Sequence, residues 1–344
     1  MLNSLSTLML AATAALLLVA ATGLVARTVG SRRQPVIVAA ALAPWLMAAA
    51  LPALVLAAAA RQWIAVAASA VLLGAALATQ WPLYRARLPL FRSHRPMHRA
   101  RQLPDRAPLR PYGTRQLETS GRTLRLMQAN ILIGGANPDA LAASVDRLRI
   151  DVLTVCELTP QGLDNLMASR LPELLPYHYC STADRGKGTG IWSRYPLSDT
   201  QRHDGFVTEL LSARIELPDD PAPLVFAVHP MPPWPHPPGD WLRELELLRQ
   251  LLAKIPDDAG PVLVAGDFNA TMDHRPYRAL LDGPYRDAAI SVGAGIQPTY
   301  AADRWYPAAI AIDHILLRDA IAHEVHTVDL PGSDHRGIWA AITV

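Results

Sequence analysis

The chain has 344 residues, enough for two domains or for one large domain with an appendage. The net charge of +2 hides a split, since residues 1–120 carry 13 Lys and Arg against two Asp and Glu, whereas residues 121–344 carry 19 against 28. An acidic C-terminal part is a poor electrostatic match for a nucleic-acid backbone, and two cysteines form neither a disulfide framework nor a zinc site.

Three uncharged stretches near the N-terminus are long enough to cross a bilayer, which takes about 20 apolar residues. They are residues 5–26, 35–60 and 63–81. The second stretch contains Pro44 and Pro52, which a helix in lipid tolerates when its neighbours satisfy the freed carbonyls. A signal peptide is the alternative for the first stretch, but no basic residues precede it and it is long for the apolar part of such a peptide. We therefore predict three transmembrane helices within residues 1–84.

Arginines are distributed unevenly around these stretches. Three lie between the first and second stretch, Arg61 alone lies between the second and third, and six follow the third within residues 85–101. The positive-inside rule then places the first loop and the C-terminal part in the cytoplasm. The sequence thus predicts an integral plasma-membrane protein with a cytoplasmic C-terminal domain. An extracytoplasmic domain is the alternative, because folded domains translocate largely regardless of flanking charge.

Residues 85–121 are rich in Pro and Arg, which predicts a basic, extended linker. Its arginines would either bind anionic lipid head groups or remain solvated, and the sequence favours neither. The soluble domain is predicted to occupy residues 122–344.

The soluble domain is predicted to begin with a strand, a helix and a second strand. The first strand alternates apolar and polar residues and ends at Asn130, a helical pattern follows at residues 138–149, and the next apolar run ends at Glu157. An Asn at a strand end is usually a turn former, so Asn130 alone indicates little. A carboxylate after VLTVC is costly unless it is paired or binds a metal, and we therefore favour a functional interpretation of Glu157.

The same pattern recurs in the middle of the domain. The predicted strand at residues 223–229 ends in His229, and the proline-dense loop PMPPWPHPPGDW follows it. Trp234 in this loop would either contact lipid or cap the fold, and we favour the cap. An amphipathic helix is predicted at residues 240–254.

The segment PVLVAGDFNAT is the most informative in the chain. Its apolar run predicts a buried strand, and Gly266 permits a turn directly before Asp267 and Asn269. The carboxylate could take a proton from water and the amide could donate to a phosphate oxygen. The alternative is a helix cap or an Asx-turn, which Asp and Asn also favour, and this segment alone does not distinguish the two.

Two more acidic residues interrupt or precede apolar runs near the C-terminus. Asp313 and His314 lie within AAIAIDHILL, where alternation points His314 to the opposite side of the strand. Asp334 and His335 lie directly before the last strand. A His held by a carboxylate is an oriented donor or base, so Asp313, Asp334 and His335 are candidate site residues.

Seven segments in this order resemble the endonuclease/exonuclease/phosphatase superfamily, the metal-dependent phosphodiesterases related to DNase I. The segments are MQANILIG, VLTVCEL, TGIWSRYPL, FAVHP, VAGDFNAT, AIDHILL and GSDHRGI. The apolar stretches ahead of them resemble the bacterial membrane-tethered branch, some of whose members are associated with glycopeptide resistance. The resemblance covers residues 122–344 and implies a four-layered α/β sandwich, in which two mixed sheets pack face to face with helices outside.

The resemblance also implies a divalent cation, Mg²⁺ or Mn²⁺. Glu157 would bind it, with Asn130 close by, and Asp334 would help to bind it. These residue types suit Mg²⁺, which takes carboxylate and water oxygens and is usually held by one or two carboxylates together with a substrate phosphate.

The remaining candidates receive catalytic roles from the same resemblance. Asp267 would orient or deprotonate the attacking water, and Asn269 would hold a phosphate oxygen. His335, oriented by Asp313, would stabilise the charge of the transition state. His229 would contact the phosphate or protonate the leaving group.

The superfamily acts on DNA, RNA, lipid phosphoesters and other substrates, so the resemblance leaves the substrate open. The apolar stretches and the acidic domain favour a lipid-linked phosphoester or phosphoanhydride at the bilayer and disfavour nucleic acid. A membrane-tethered nuclease is the second hypothesis. A non-catalytic membrane scaffold is the third, and the presence of all the site residues disfavours it.

Overall fold

The computed structural model describes residues 2–86, 121–218 and 222–344, so the predicted linker at residues 85–121 lies almost wholly outside the described chain. The helices are α1 (Leu2–Thr28), α2 (Gln34–Ala41), α3 (Ala43–Ala48), α4 (Ala50–Ala59), α5 (Trp63–Gln80), α6 (Pro138–Leu148), α7 (Pro160–Ala168), α8 (Leu171–Leu174), α9 (Gly239–Ala253), α10 (Arg275–Leu280) and α11 (Ala288–Val292). The strands are β1 (Thr123–Asn130), β2 (Val152–Cys156), β3 (Tyr177–Ser181), β4 (Thr189–Ser193), β5 (Leu197–Arg202), β6 (Leu211–Ile215), β7 (Leu224–Val228), β8 (Val262–Asp267), β9 (Arg286–Asp287), β10 (Asp313–Arg318), β11 (Ile321–Asp329) and β12 (Arg336–Thr343).

Helices α1 to α5 form an apolar bundle. Two helical segments, Ser6–Thr28 and Trp63–Leu83, are long and apolar enough to cross a membrane. The predicted second span is broken instead: Gln34–Ala41 and Ala43–Ala59 meet at an angle of 66° and count as a third span only if the bent pair is taken as one. The break lies directly before Pro44, whose ring clashes with a preceding carbonyl and which lacks an amide hydrogen.

In the described part of the chain, twelve strands form two six-stranded mixed sheets. The first has the order β11-β12-β1-β2-β4-β3 and the second β5-β6-β7-β8-β10-β9. Within each sheet one central pair is parallel, β1 with β2 and β7 with β8, and the other pairs are antiparallel. The carboxyl ends of parallel strands lie at one edge of a sheet, so each sheet gathers the residues that follow two of its strands.

Three apolar cores separate four layers. The inner faces of the two sheets enclose one core, which includes Leu126, Val152 and Leu263. Helices α6, α7 and α8 cover the outer face of the first sheet, and α9 and α10 cover that of the second. The predicted four-layered α/β sandwich is therefore confirmed.

The helix bundle packs against the second sheet's side of the domain. Ile37 of α2 is buried in the outer core of that sheet, and its carbonyl lies 2.9 Å from Nε2 of His274. Arg27, near the end of α1, forms an ion pair with Asp273, which is almost wholly buried. The main-chain carbonyl of Arg27 accepts a hydrogen bond from the Arg278 guanidinium at 2.7 Å. The segment that follows β8 is thus fastened directly to the bundle.

Candidate active site

The predicted site residues meet at one edge of the two sheets. Asn130 ends β1 and Glu157 follows β2, which runs parallel to β1. Asp267 ends β8, and Asp313 begins the antiparallel strand β10 directly opposite it in register. His335 directly precedes β12, which pairs with β1. The topology therefore brings chain positions up to 205 residues apart into one cluster.

Asn130 bridges the two sheets. Its side-chain Nδ2 lies 3.0 Å from Oε1 of Glu157 and 3.0 Å from Oδ2 of Asp267, so both carboxylates accept from it. Its Oδ1 accepts from the backbone N–H of Leu132 at 3.0 Å, which fixes the orientation of the amide. The arrangement ties Glu157, on the first sheet, to Asp267, on the second.

Glu157 lies in a backbone conformation that few residues adopt. Its φ is 62°, in the left-handed region, which is uncommon for a residue other than glycine and occurs often at functional sites. Its Oε2 accepts from the backbone N–H of Ile133 at 2.8 Å. Gly186 packs against the same carboxylate so closely that a Cβ there would lie 3.0 Å from Oε2. A side chain at this position would press on the carboxylate, and the φ of 74° at Gly186 also favours glycine there.

His335 and Asp313 form the most strongly charged pair of the cluster. Nδ1 of His335 lies 2.8 Å from Oδ2 of Asp313, and its Nε2 lies 3.7 Å from Oδ2 of Asp267. Burial opposes the charged imidazole, but Asp313 and Asp267 outweigh it and raise the pKa of His335 to about 10. Burial would also raise the pKa of Asp313, yet His335 lowers it below its usual value. At neutral pH the pair is an imidazolium and a carboxylate.

The pKa of Asp267 is raised, whereas that of Asp313 is lowered. Burial and the neighbouring Asp313 carboxylate raise the pKa of Asp267 to about 6, although His335 and His229 counteract part of the rise. Its Oδ1 accepts from the backbone N–H of Asn269 at 2.8 Å. A carboxylate whose pKa lies near neutrality suits a general base.

Asn269 and His229 border the cluster from the second sheet. Asn269 has a φ of 49°, again left-handed, and its Nδ2 donates to the carbonyl of Pro230 at 2.9 Å. One amide hydrogen of Asn269 remains for another acceptor, because the group carries two. Nε2 of His229 lies 3.8 Å from Oδ2 of Asp267. Its Nδ1 is buried and has no hydrogen-bond partner among the described residues.

The surroundings of Asp334 show whether the residues at this edge of the sheets fit a divalent cation. Its Oδ1 is buried without a hydrogen-bond partner in the described part of the chain. Burial raises the pKa of Asp334, and the Glu157 carboxylate adds to the rise although His335 opposes it. Two carboxylates that repel one another, one with an orphaned buried oxygen, match the hard oxygen donors that Mg²⁺ and Mn²⁺ take. The residues therefore fit such an ion.

A second group of side chains is close enough together to hold an ion, and it contains an imidazole as well as two carboxylates. One ligand atom from each of Asp267, Asp313 and His335 lies within 4.8 Å of the others. These side chains already bond to one another and to their neighbours: His335 Nδ1 to Asp313, and Asp267 to Asn130 and to the backbone N–H of Asn269. Glu157 and Asp334, beside Asn130, are residues that could hold a cation, and Asp334 offers an oxygen with no other partner in the described chain, whereas the second group is hydrogen-bonded internally.

Four polar side chains that the sequence did not single out support the cluster. Nε2 of Gln128 lies 3.3 Å from Oδ1 of Asp313, and the Thr299 hydroxyl accepts from the backbone N–H of Asp313 at 3.3 Å. The Ser333 hydroxyl donates to the carbonyl of Asn130 at 2.7 Å and accepts from the backbone N–H of His335 at 3.0 Å. The ring of Tyr300 lies 5.0 Å from that of His335. None of these residues follows an apolar run that would have marked it.

His314 lies outside the cluster, as alternation predicted. It bonds to Oδ2 of Asp287 at 2.9 Å and to the carbonyl of Ala270 at 2.9 Å. The Tyr277 hydroxyl donates to the same carboxylate oxygen at 2.7 Å. This buried network lies on the bundle-facing side and supports the segment after Asn269.

Comparisons with solved structures show the same fold in several proteins. Zebrafish (D. rerio) TDP2, complexed with a single-strand DNA product, is 17% identical with a TM-score of 0.55, over 64% of this chain and 99% of that chain. A mannosyl-6-phosphatase from Bacteroides thetaiotaomicron VPI-5482 is 15% identical with a TM-score of 0.53, over 64% of this chain and 100% of the other. An endonuclease/exonuclease/phosphatase from Beutenbergia cavernae DSM 12333 is 18% identical with a TM-score of 0.52, over 65% and 72%.

Sequence comparison gives the family directly. No curated protein matches the chain. The profile of the Endonuclease/Exonuclease/phosphatase family matches residues 127–335, which include every site residue discussed above. Members of this family are hydrolases of phosphoester bonds and are generally dependent on a divalent metal. The chain belongs to the Endonuclease/Exonuclease/phosphatase family.

Proposed function

We propose that this protein is a membrane-anchored, divalent-metal-dependent phosphoesterase that hydrolyses a phosphoester or phosphoanhydride of a lipid-linked substrate. One observation carries the proposal: two loops beside the catalytic cluster are hydrogen-bonded to the apolar helix bundle. Gln34, the first residue of α2, donates to the carbonyl of Pro233 at 2.8 Å. The Trp45 indole of α3 donates to the carbonyl of Ala309 at 2.9 Å. A cluster held this close to membrane helices favours a substrate that resides in the bilayer.

The arrangement of Asp267 and His335 supports hydrolysis by an activated water. Asp267, with its pKa near 6, accepts a proton from that water. The His335 imidazolium, held by Asp313, donates through Nε2 to a phosphoryl oxygen and stabilises the charge that develops there. Asn269 donates its second amide hydrogen to another phosphoryl oxygen. His229, whose Nδ1 has no partner in the described chain, contacts the phosphate or protonates the leaving group.

Glu157 and Asp334 would hold Mg²⁺ or Mn²⁺ beside Asn130. When bound, this ion neutralises charge on the phosphoryl oxygens and orients the scissile group. The protein keeps the Glu157 carboxylate in place through Asn130, the Ile133 amide and the tight approach of Gly186.

A covalent intermediate finds no support in the described cluster. Cys156 is the nearest thiol, and its Sγ accepts from Gln128 at 3.3 Å. Burial raises the pKa of Cys156 well above its usual value, and the nearby Asp267 and Asp313 carboxylates add to the rise despite opposing hydrogen bonds. A thiol that stays protonated is a poor nucleophile.

Substrate specificity is tested with the purified full-length protein in lipid nanodiscs with Mg²⁺. Phospholipids and polyprenyl diphosphates are compared with single-stranded and double-stranded DNA, and Asp267→Asn serves as the inactivated control. We expect lipid phosphate hydrolysis that Asp267→Asn abolishes. Cleavage of DNA alone would overturn the lipid assignment in favour of a tethered nuclease. If none of these substrates is hydrolysed and cells that carry Asp267→Asn have an unchanged phenotype, a non-catalytic scaffold is favoured.

We further infer that the catalytic domain lies on the cytoplasmic side of the plasma membrane, from the arginines that flank the apolar helices. Cysteine labelling in intact cells tests this. Asp258→Cys places an exposed thiol on the domain, and Arg61→Cys places one in the turn between α4 and α5. A membrane-impermeant maleimide should label position 61 before lysis and position 258 only after it. The reverse pattern would place the domain outside the cell.

A further inference from the structure

One loop runs from the catalytic cluster to the helix bundle. We call residues 301–309 the rim loop. It leaves the cluster at Tyr300, whose ring packs against His335, and the backbone N–H of Ala302 donates to the carbonyl of Asp334 at 2.6 Å. It closes where the backbone N–H of Ala309 donates to the carbonyl of Tyr300 at 3.1 Å. Both ends of the loop are therefore fixed, and its start lies against Asp334 and next to Tyr300, which contacts His335.

The far end of the rim loop reaches the level of the apolar helices. The carbonyl of Ala309 accepts from the Trp45 indole. Trp45 belongs to the short helix that packs on Gly23 of α1, where a Cβ would lie 2.8 Å from Cβ of Leu46. Gly23 precedes Thr28, the last residue of α1, by about 7 Å at 1.5 Å per residue. The helix that carries Trp45 thus contacts α1 more than one helical turn inside the domain-facing end of the first apolar segment.

The tip of the rim loop exposes two aromatic side chains. Trp305 is 95% exposed and Tyr306 is 45% exposed, and their rings meet edge to face with centroids 5.5 Å apart. Trp305 lies four residues before Ala309, a chain distance of at most about 14 Å. An almost wholly exposed Trp is unusual in water, but Trp and Tyr are the side chains that gather at membrane–water interfaces.

The bundle carries aromatic side chains of its own at the same end. Trp45, Trp81 and Tyr84 are 53%, 63% and 60% exposed. The carbonyl of Leu83, next to Tyr84, accepts from the backbone N–H of Gly295 in the domain at 2.7 Å, which fixes that end of α5 against the domain. The exposed aromatic side chains of the rim loop therefore lie at the same end of the bundle as those of the helices.

We infer that the tip of the rim loop, Trp305 and Tyr306, is a lipid-contacting surface that enters the head-group region of the bilayer. The inference rests on the membrane anchoring proposed above. Because this loop contacts Asp334 and continues from Tyr300, which packs against His335, its insertion would hold the catalytic cluster beside the head groups, and a lipid-linked phosphate would reach the cluster without leaving the membrane. A second copy of the chain or a soluble protein partner would cover the tip without lipid contact.

Site-directed fluorescence distinguishes these occupants. Trp305→Cys is introduced into the full-length chain, labelled with an environment-sensitive maleimide and reconstituted into nanodiscs with or without brominated phospholipid. Two matched variants use other exposed aromatic positions. Trp63→Cys, at the start of α5, reports on the anchoring, and Tyr177→Cys, on edge strand β3 at the end of the first sheet opposite the site, reports on the soluble domain. The unsubstituted chain corrects for the buried Cys156 and the half-buried Cys180.

We expect bromine quenching at positions 305 and 63 and none at position 177. Quenching at 63 without quenching at 305 would overturn the inference and leave the anchoring intact, whether the 305 label stays in water or is covered by protein. Absence of quenching at 63 would overturn the anchoring itself. Quenching at 177 as strong as at 305 would mean that the domain contacts lipid without preference for the rim loop, which also overturns the inference.

Discussion

His335 and Asp313 are joined by a 2.8 Å contact between Nδ1 and Oδ2, and both side chains are buried. Gln128 donates to Oδ1 of Asp313, so the carboxylate cannot rotate away from His335 without losing this second hydrogen bond. The Thr299 hydroxyl accepts from the backbone N–H of Asp313 and fixes the main chain there. The pair fixes both the orientation and the charge of the imidazole. Its Nε2 is directed to the side of the cluster where Asp267 lies.

Asp313→Asn should reduce kcat by about 100-fold or more, the usual contribution of an oriented acid or base. The amide keeps the shape of the side chain but removes the main charge that raises the pKa of His335. The fold should remain, since Asn fills the same space. Steady-state hydrolysis of the proposed lipid-linked substrate measures the effect, with Asp319→Asn, an exposed position in the turn after β10, as the control. Equal activity in both variants would contradict the role of Asp313.

Glu157→Gln should weaken Mg²⁺ binding by about tenfold or more, because a carboxylate donor of a hard cation becomes a neutral amide. Binding is measured without substrate, as the rise in melting temperature on adding Mg²⁺. At a concentration 100 times the dissociation constant, the ion should stabilise the wild-type protein by about 2.7 kcal/mol. The exposed Glu173→Gln serves as control. A wild-type melting temperature that does not respond to Mg²⁺ or Mn²⁺ would contradict the assignment of the cation to Glu157.

The elements that carry the site were predictable because each combines an apolar strand with a polar residue at its end. Asn130, Glu157 and Asp267 follow fully buried strand residues, and the parallel pairing of those strands with their neighbours gathers their ends at one edge. A local pattern was therefore enough to identify residues that are distant in the chain.

Strand β11 was not predicted, and the structure gives the reason. Its buried residues Ala322, Val325 and Val328 recur at intervals of three rather than two. A bulge between Ala322 and Glu324 shifts the alternation, so that Ala322 and Val325 both face the core between the sheets. Val328 faces the outer core. Strand β5 escaped prediction for a different reason: it is an exposed edge strand with no apolar pattern.

The docking of the bundle on the domain had no signal in the sequence. The contact between Ile37 and His274 joins residues 237 positions apart, and it depends on the bend between α2 and α3. Local patterns predict that a segment is apolar, but they do not predict which surface it will cover. Tyr300 is a similar case, since its position beside His335 results from the path of the rim loop.

Asp273→Asn should destabilise the docked arrangement by about 3–5 kcal/mol, the usual cost of leaving a buried charge without its partner. Asp273 pairs with Arg27 of α1 and accepts from Gln80 at 3.1 Å. Thermal unfolding in detergent micelles measures the loss. Glu246→Gln, which breaks an exposed pair with Arg249 on α9, is the matched control and should change the melting temperature little.

The combination Arg27→Met with Asp273→Leu separates the charge from the packing. It removes both partners, and it should recover much of the stability that Asp273→Asn loses, since replacing a buried pair by apolar side chains is often neutral. If the double variant is no more stable than Asp273→Asn, the contact contributes through shape or hydrogen bonding rather than through a buried charge pair.

Because of His274, we expect the free energy of unfolding to decrease as the pH is lowered from 6.5 to 4. Burial lowers the pKa of His274 from 6.5 to about 4, although the bond to the Ile37 carbonyl opposes the shift, and the positive charges of Arg278 and His314 add smaller lowering contributions. Its Nδ1 accepts from the backbone N–H of Thr271 at 2.8 Å, and this bond is lost when the ring is protonated. Above pH 6.5 the ring is neutral in both the folded and unfolded chain. Below it the unfolded chain binds the proton first, so the free energy of unfolding decreases as the pH falls.

The resulting loss is about 2–3 kcal/mol at pH 4.5 relative to pH 7. His274→Gln removes the titrating ring, and the melting temperature of this variant should depend less on pH than that of the wild-type protein over the same interval. His326→Gln, at an exposed position on β11, is the control and should follow the wild-type profile. Parallel profiles for the wild-type protein and His274→Gln would show that the ring is already protonated in the folded protein or that it titrates unperturbed. In either case His274 would not form the neutral hydrogen-bonded link between the segment after β8 and helix α2.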